Sequence, residues 1–235
     1  MERERLSTSV NHRDRVSALE TALAAVRSSI GAACDRSGRN AGEVRLIAVT
    51  KQVDPPMVEA AAAAGLREFG ENYVKELEVK RSAAPDAAWH FLGRLQRNKL
   101  ARVLRTASVI QALEPGRAAE RLFELASAGE NLPECLIEVD FTGGRVGVAP
   151  DELGSFAGRV ASAGVPLRGL MTVAPPGAEP RPWFQKLRDL RDGLRERHEE
   201  FTELSMGMST DLEVAVEEGA TMVRVGTAIF GRRRR

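Results

Sequence analysis

Apolar residues near the start of the chain recur at spacings of three and four positions, which is the period of one face of an α-helix. The residues that keep this spacing are Val16, Leu19, Leu23, Val26 and Ile30. The pattern predicts one helix from Leu6 to about Arg36.

From Val44 onward, short apolar runs alternate with amphipathic stretches. Runs that are apolar throughout predict strands buried on both faces, as in a parallel sheet covered by helices. The predicted strands are Val44–Thr50, Leu66–Phe69, Ala88–Leu92, Val109–Leu113, Cys135–Val139, Leu167–Val173, Glu203–Met206 and Met222–Val225. The predicted helices between them are Pro56–Ala64, Tyr73–Arg81, Gln96–Thr106, Arg117–Ser127, Asp151–Ala161, Pro182–Glu200 and Thr210–Glu218.

The start and stop signals agree with this order. Pro55 and Pro56 suit the first turn of a helix, while Gly65, Gly164 and Gly219 suit helix ends. Eight strands, each followed by a helix, predict a single α/β domain: a closed (β/α)8 TIM-type barrel over residues 44–231 with an additional N-terminal helix. An open doubly wound sheet is the alternative, although no Gly-rich dinucleotide fingerprint follows the first strand.

Composition narrows the classes of protein. The 235 residues suit one such barrel, and the net charge of +1 argues against binding to nucleic acid or a membrane surface. The Arg232–Arg235 run is expected to be a solvated tail. Cys34 and Cys135 lack the spacing of a metal site or disulfide framework, and Cys135 is expected to be a buried small hydrophobe. Without a signal peptide, a membrane span or an obvious exposed apolar stripe, we expect a cytoplasmic monomer.

Lys51 directly follows the first predicted strand, at the barrel end where working residues of this fold lie. Alternation along the strand places it on the side of Ile47 and Val49, which we take as the interior. Removal of a lysine amine from water favours its neutral form, which can attack an aldehyde. A lysine paired with a carboxylate at the barrel mouth is the alternative interpretation.

The segment after the seventh strand has the residues of a phosphate site. Ser209 is expected to cap the helix that follows, and a helix N-terminus attracts anions. Gly226 and Thr227 form a second small-residue turn after the eighth strand, where barrels of this type frequently bind phosphate. A capped helix and a tight turn without a ligand would also account for these residues.

Other polar residues lie in or near strand ends. Arg224 interrupts the apolar eighth strand, and a buried guanidinium needs a partner. That partner is either the ring nitrogen of a phosphorylated cofactor or a carboxylate such as Glu68 or Glu71. Asn72 either lines a cofactor or caps the next helix. His90, between two aromatic residues, is expected to be a hydrogen-bonded core histidine.

Six strings in order along the chain identify a family. With them the chain resembles the pyridoxal 5′-phosphate (PLP) homeostasis protein family, also called the proline synthetase co-transcribed family, from about Val44 to Gly231. The strings are Ile47–Lys51 (IAVTK), Phe69–Val74 (FGENYV), Trp89–Lys99 (WHFLGRLQRNK), Gly169–Pro175 (GLMTVAP), Leu204–Asp211 (LSMGMSTD) and Thr221–Gly231 (TMVRVGTAIFG).

The resemblance implies a barrel like the N-terminal domain of alanine racemase, with PLP as a Schiff base on Lys51. It implies a phosphate held by Ser209 and the Gly226-Thr227 turn, Arg224 near the pyridine nitrogen, and Asn72 near the ring. Two departures from the family pattern stand out. Arg145 replaces a common lysine and cannot form a Schiff base, and Val-Thr-Lys-Gln replaces a common Val-Ser-Lys-Thr around Lys51.

The resemblance leaves enzyme and carrier to be distinguished. Alanine racemase adds a β-domain and a catalytic tyrosine from its partner subunit, whereas this sequence ends five residues after Phe230 and has one tyrosine, Tyr73. We therefore expect a PLP carrier or regulator that affects amino-acid and keto-acid metabolism and serves PLP-dependent apoenzymes. A PLP-dependent enzyme, such as a weak amino-acid racemase, is the main alternative, and a Schiff-base aldolase acting on a phosphosugar is a distant one.

Overall fold

Eight parallel strands close into a barrel in which each strand pairs with the next one along the chain and the last pairs with the first. The strands are β1 (Arg45–Val49), β2 (Glu68–Glu71), β3 (Ala88–Phe91), β4 (Val109–Leu113), β5 (Glu134–Glu138), β6 (Leu167–Met171), β7 (Glu203–Ser205) and β8 (Met222–Val225). Closure confirms the predicted (β/α)8 barrel and excludes the open doubly wound sheet.

Helices surround the barrel. They are α1 (Glu2–Ser37), α2 (Pro55–Ala63), α3 (Val74–Lys80), α4 (Arg97–Thr106), α5 (Arg117–Ser127), α6 (Leu153–Ser162), α7 (Arg181–Arg195), α8 (Leu212–Glu217) and α9 (Thr227–Phe230), with 3-10 turns at Ala41–Glu43 and Arg81–Ala83. This computed structural model describes residues 2–144 and 146–231, with side chains from Asp14 onward. The expectations for Arg145 and Arg232–Arg235 therefore lie outside the described residues.

The apolar core has two parts. The larger part fills the space between the barrel and the helices, and α1 contributes Leu19, Leu23, Val26 and Ile30 to it. This confirms the predicted apolar face of α1, which packs against α2, α8 and α9. The smaller part lies inside the barrel and consists of Ile47, Ala112, Leu136, Met171 and Met222.

Several element ends differ from the predictions. β2 begins two residues later than predicted because Leu66, although buried, still belongs to the turn that closes α2: its N–H donates to the Ala61 carbonyl at 3.1 Å. Glu71 is therefore the last residue of β2. Helix α7 ends at Arg195, five residues earlier than predicted, and the short helix α9 was not predicted at all.

Both cysteines are buried, and burial raises the pKa of the Cys135 thiol to about 12. The expectation that Cys135 is a small hydrophobe is confirmed. Across the part of the chain that the structure describes, no three His, Cys, Asp or Glu side chains cluster as metal ligands. None of the described helices is both long and apolar enough to cross a membrane.

Candidate functional site

A cavity of about 700 Å³ opens between the ends of β1 and β8 on one side and helix α1 on the other. Lys51 and Gln52 line it from the loop after β1, and Gly226 and Thr227 line it from the turn after β8. Closure of the barrel makes β1 and β8 neighbours, so it brings these two distant segments of the sequence together. The predicted lysine and the predicted second small-residue turn therefore share one cavity.

Helix α1 forms the opposite wall of this cavity with Arg15, Ala18, Leu19 and Ala22. The guanidinium of Arg15 pairs with Asp54 across the cavity rim at 3.3 Å. The sequence analysis assigned no role to α1 beyond packing. The alanines at i and i+4, on the helix face beside the apolar stripe, were the available signal, because small side chains leave room for a cavity.

Lys51 is half-buried and lies beside Val49 in the cavity wall. Ile47, which strand alternation grouped with them, belongs instead to the core inside the barrel. The two neighbours of Lys51 in sequence are held from behind by helix α3. Lys80 Nζ donates to the Thr50 carbonyl at 2.6 Å and to Glu71 Oε1 at 2.6 Å. Thr50 Oγ1 also donates to Glu71 Oε1, at 2.7 Å. The position of Lys51 is therefore fixed through Thr50.

Glu76 completes this arrangement, which we call the α3 clamp: Lys80, Glu71, Glu76 and Thr50. Glu76 Oε2 accepts from Lys80 Nζ at 2.7 Å and from the Gln52 N–H at 3.0 Å. Gln52 adopts a left-handed conformation, with φ of 63°, which is rare for a residue with a side chain. The clamp thus holds the backbone on both sides of Lys51, one of them in a strained conformation.

Burial raises the pKa of Glu71 above its ordinary value, although hydrogen bonds from Lys80 and Thr50 oppose this. Oε1 receives these hydrogen bonds, while Oε2 is buried without a hydrogen-bond partner among the described residues. Burial also raises the pKa of Glu76, but hydrogen bonds from Lys80 and from the Gln52 backbone outweigh it and leave that pKa below its ordinary value.

The predicted phosphate segment after β7 needs one correction. Ser209 is not the N-cap of α8; Asp211 occupies that position. Asp211 Oδ1 accepts from the Met208 N–H at 2.5 Å, and the Asp211 N–H donates to the Met208 carbonyl at 3.2 Å, so these residues form a separate turn before the helix. Ser209 Oγ instead accepts from the Ala228 N–H at 3.3 Å. Ser209 is thereby joined to the turn after β8.

Glycines allow these loops to approach the barrel closely. Gly207 has φ of 92°, and a Cβ at that position would lie 2.4 Å from the Ala215 Cβ. Its carbonyl accepts from the Arg224 N–H at 2.9 Å. A Cβ on Gly226 would lie 3.2 Å from the Val49 carbonyl oxygen. The two turns and the end of β1 therefore form one closely packed rim.

Arg224 is buried, and its side chain lies inside the barrel. Its backbone pairs in register with Ile47, a residue of the inner core cluster. Nη1 donates to Ser205 Oγ at 2.6 Å and Nη2 donates to the Thr172 carbonyl at 2.8 Å. The suggested carboxylate partner Glu71 lies on the other side of the β2 strand, where it binds Lys80, so it does not serve Arg224.

Asn72 follows β2 and is half-buried, but it is not among the described residues that line the cavity around Lys51. The loop after β3 passes over it: a Cβ on Gly93 would lie 2.1 Å from the Asn72 carbonyl oxygen. His90 is buried and bonded to Glu68 and Gln111, which confirms the expected core histidine.

The site thus has an amine that can react with an aldehyde, at Lys51, and a small-residue turn that can hold an anion, at Gly226 and Thr227. Ser209 is not among the described residues that line this cavity; it lines a second cavity of about 290 Å³ and is joined to the turn through the Ala228 N–H. An amine and an anion-binding turn fit a small phosphorylated aldehyde, and a cavity of about 700 Å³ has room for one.

Comparison with known proteins gives matches over nearly the whole chain. Residues 3–234 match the family described as the alanine racemase N-terminal domain. The pyridoxal phosphate homeostasis protein of Aquifex aeolicus is 39% identical over 221 residues, which cover 90% of this chain and 97% of that protein. The protein of the same name from Pseudomonas aeruginosa is 37% identical and covers 90% of this chain and 94% of its own.

A solved structure agrees with these matches. PipY from Synechococcus elongatus, determined with PLP bound, superposes with a TM-score of 0.80 at 34% sequence identity. The superposition covers 91% of this chain and all of PipY.

Proposed function

Because the chain belongs to the pyridoxal phosphate homeostasis proteins, within the alanine racemase N-terminal-domain family, we propose that it binds PLP and takes part in intracellular PLP homeostasis. The observation that carries this proposal is the shared cavity of Lys51 and the Gly226-Thr227 turn. The relative PipY, which has been solved with PLP, supports it.

In this proposal each site residue has one task. Lys51 holds the cofactor aldehyde as a Schiff base, and Ser209 with the Gly226-Thr227 turn holds the phosphate. Arg224 donates a hydrogen bond to the ring nitrogen, and Asn72 lies beside the ring. Bound PLP supplies an electrophilic aldehyde and an electron-withdrawing ring.

Arg224 would weaken the ring as an electron sink, but it does not by itself separate a carrier from an enzyme. A guanidinium has donors only and keeps its protons, so a ring nitrogen that accepts from it stays unprotonated. An unprotonated ring withdraws electrons less strongly, which is compatible with storage and delivery of the cofactor and does not exclude racemase-type catalysis. The match to the alanine racemase domain favours the alternative, a PLP-dependent enzyme such as a weak amino-acid racemase.

We further propose that the protein acts in the cytoplasm as a monomer and delivers PLP to PLP-dependent apoenzymes. The large hydrophobic side chains exposed on the described surface are scattered ones, Tyr73, Val79 and Met208, and do not form the apolar face of a stable dimer. Light scattering after size-exclusion chromatography measures the oligomeric state directly.

The first test is an absorbance spectrum of the purified protein, followed by borohydride reduction and peptide mapping. We expect a visible absorption band and a PLP-modified peptide that contains Lys51. In Lys51→Ala the trapped adduct is lost completely, because no amine remains at the end of β1, while Lys75→Ala on the exposed face of α3 keeps it. Trapping at another lysine, or no PLP uptake by the wild-type protein, would contradict the proposal.

Transfer experiments then separate carrier from enzyme. The loaded protein is mixed with a PLP-dependent apoenzyme, and recovery of that enzyme's activity is compared with recovery on an equal amount of free PLP. Faster recovery from the loaded protein supports direct delivery. Turnover of amino acids by the loaded protein alone, lost in Lys51→Ala, would favour the racemase alternative.

A further inference from the structure

A continuous series of hydrogen bonds crosses the inside of the barrel, from Arg224 to Glu68. Arg224 Nη1 lies 2.6 Å from Ser205 Oγ, which lies 2.6 Å from Gln111 Oε1. Gln111 Nε2 lies 2.9 Å from His90 Nδ1, and His90 Nε2 lies 2.6 Å from Glu68 Oε2. Ser205, Gln111 and His90 are completely buried. We call these five residues the axial chain.

The hydrogens of the axial chain all point in one direction. A guanidinium can only donate, so the Ser205 hydroxyl accepts from Arg224 and gives its own hydrogen to Gln111 Oε1. The amide nitrogen of Gln111 then donates to His90 Nδ1, and it also lies 3.5 Å from Met222 Sδ, a second acceptor. His90 therefore carries its hydrogen on Nε2 and donates to Glu68.

The far end of the axial chain is held as an acceptor. Glu68 lies at the beginning of β2, with Arg45 at 3.6 Å, and Arg45 pairs in turn with Glu203 at 3.0 Å. Burial raises the pKa of Glu68, but the hydrogen bond and electrostatic attraction of His90, followed by those of Arg45, outweigh it, so that pKa lies below its ordinary value. A donor-only group at one end and an ionised carboxylate at the other give the chain a single direction.

We propose that Ser205, Gln111 and His90 are positioning residues that fix the guanidinium of Arg224 as a hydrogen-bond donor toward the ring nitrogen of PLP. This inference rests on the proposed function. Buried polar groups are costly to leave unpaired, so a rotation of Arg224 away from Ser205 would leave the buried Ser205 hydroxyl without this donor. The series thus keeps the guanidinium in one orientation inside the barrel.

The first experiment tests the direction of the axial chain in the PLP-free protein. In ¹⁵N NMR of the histidine rings, the nitrogen without a hydrogen resonates far downfield of the one that carries it. The sequence has three histidines, so His12→Ala and His198→Ala assign the His90 signals. We expect Nδ1 of His90 without a hydrogen and Nε2 with one. A hydrogen on Nδ1 would overturn the proposed direction.

Gln111→Glu sharpens this test. A carboxylate at position 111 accepts from Ser205 with one oxygen and presents the other to His90 Nδ1. Two acceptors then face the imidazole, so we expect His90 to take up a second hydrogen and both ring nitrogens to resonate upfield. Because a protonated carboxyl at position 111 could donate to Nδ1 as the amide does, the overturning result is taken from Gln111→Leu: an unchanged Nδ1 resonance there would mean that residue 111 does not contact the ring.

The second experiment uses the PLP-loaded protein and ¹⁵N-labelled PLP. In Gln111→Leu we expect a shift of the ring-nitrogen resonance and roughly tenfold weaker PLP retention, because Arg224 loses its fixed orientation. Gln185→Leu, the same change on α7 outside the barrel, is the matched control and should leave both unchanged.

The outcomes separate the two proposals. PLP uptake with the same ring-nitrogen resonance in Gln111→Leu and wild type would overturn the positioning role alone. A wild-type protein that takes up no PLP would overturn the proposed function and with it the role of Arg224, whatever the His90 spectrum shows.

Discussion

The two faces of strand β2 carry the same residue type in opposite electrostatic states. Glu68 faces the barrel interior, accepts from His90 and lies near Arg45, and its pKa is lowered. Glu71, three residues later, faces α3 and accepts from Lys80 and Thr50, yet burial raises its pKa. The same strand therefore holds one carboxylate whose charged form is favoured and one whose charged form is disfavoured.

The difference follows from how each carboxylate is satisfied. Glu68 remains partly exposed, and although burial is the largest single influence on its pKa, its interactions with His90 and Arg45 together outweigh it. Glu71 is fully buried, and both of its hydrogen-bond donors lie on one oxygen while the other has no described partner. An ion pair at short distance does not by itself keep a buried carboxylate easily ionised, because desolvation acts on the whole group.

Each face supports one basic residue of the site. The inner face leads through the axial chain to Arg224, and the outer face leads through the α3 clamp to Lys51. The axial chain on the inner face consists of neutral side chains and ends on the carboxylate of Glu68. The α3 clamp on the outer face is a cluster of charged side chains that bind the backbone at Thr50 and Gln52. Substitutions in the α3 clamp and in the axial chain should therefore differ in their effects on stability and on PLP binding.

The largest expected effect comes from breaking the α3 clamp with Lys80→Met. Methionine keeps the apolar volume but removes the charge, which leaves Glu71 buried without its cation; we expect a loss of about 3–5 kcal/mol of unfolding free energy. Urea denaturation measures it. Lys75→Met, an exposed lysine on the same helix, is the control and should change stability by less than about 0.5 kcal/mol. Equal small losses in both variants would mean that the clamp contributes only packing.

The sequence was sufficient for the order of strands and helices, because apolar runs and helical periodicity are local signals. It located β4 and β8 to the residue, but it placed β2 two residues early. As a result, the sequence did not show that Glu68 and Glu71 lie on opposite faces of β2. Strand register depends on pairing with β3, which is distant in the sequence.

The candidate site was predicted in part. Lys51, Gly226 and Thr227 share a cavity as expected, whereas the N-cap role of Ser209 was wrong because Asp211 competes for the same turn. The sequence analysis predicted neither the α3 clamp nor the axial chain, although Gln111 is a polar residue within the apolar run VIQAL and could have indicated a buried hydrogen bond. A hydrogen-bond series that joins residues on five strands cannot be derived from local patterns.

A second test uses pH to sharpen the comparison. The lowered pKa of Glu68 means that the unfolded chain binds its proton more tightly, so this stabilisation is present above the ordinary glutamate range and is lost as pH falls through the folded pKa. The raised pKa of Glu71 has the opposite sign: its contribution is greatest at low pH and is lost as pH rises through the raised pKa.

Glu68→Gln and Glu71→Gln remove these two contributions with little change in shape. The stability difference between wild type and Glu68→Gln should grow as pH increases, and the difference between wild type and Glu71→Gln should shrink. Urea unfolding across the acidic to neutral range measures both. Slopes of the same sign would mean that the two faces of β2 do not differ electrostatically as described.

The smallest expected effect concerns the strain that the α3 clamp imposes beside Lys51. Gln52 is exposed and left-handed, at φ of 63°, a conformation that costs a residue with a side chain about 1–2 kcal/mol. Gln52→Gly removes this cost, while the added freedom of the unfolded chain takes back about 0.5–1 kcal/mol. Because the Gln52 N–H still donates to Glu76, we expect a net gain of about 0.5–1 kcal/mol.

Gln185→Gly in the interior of α7 is the control for glycine in a relaxed backbone and should instead lose at least about 1 kcal/mol, because it also removes the hydrogen bond from Gln185 to Glu218. The decisive comparison is then the borohydride trapping of PLP on Lys51 in Gln52→Gly. A more stable protein with slower or weaker trapping would show that the strained conformation orients the amine. A more stable protein with unchanged trapping would show that the strain at Gln52 does not orient the Lys51 amine. The α3 clamp would then position Lys51 through its contact with Thr50 alone.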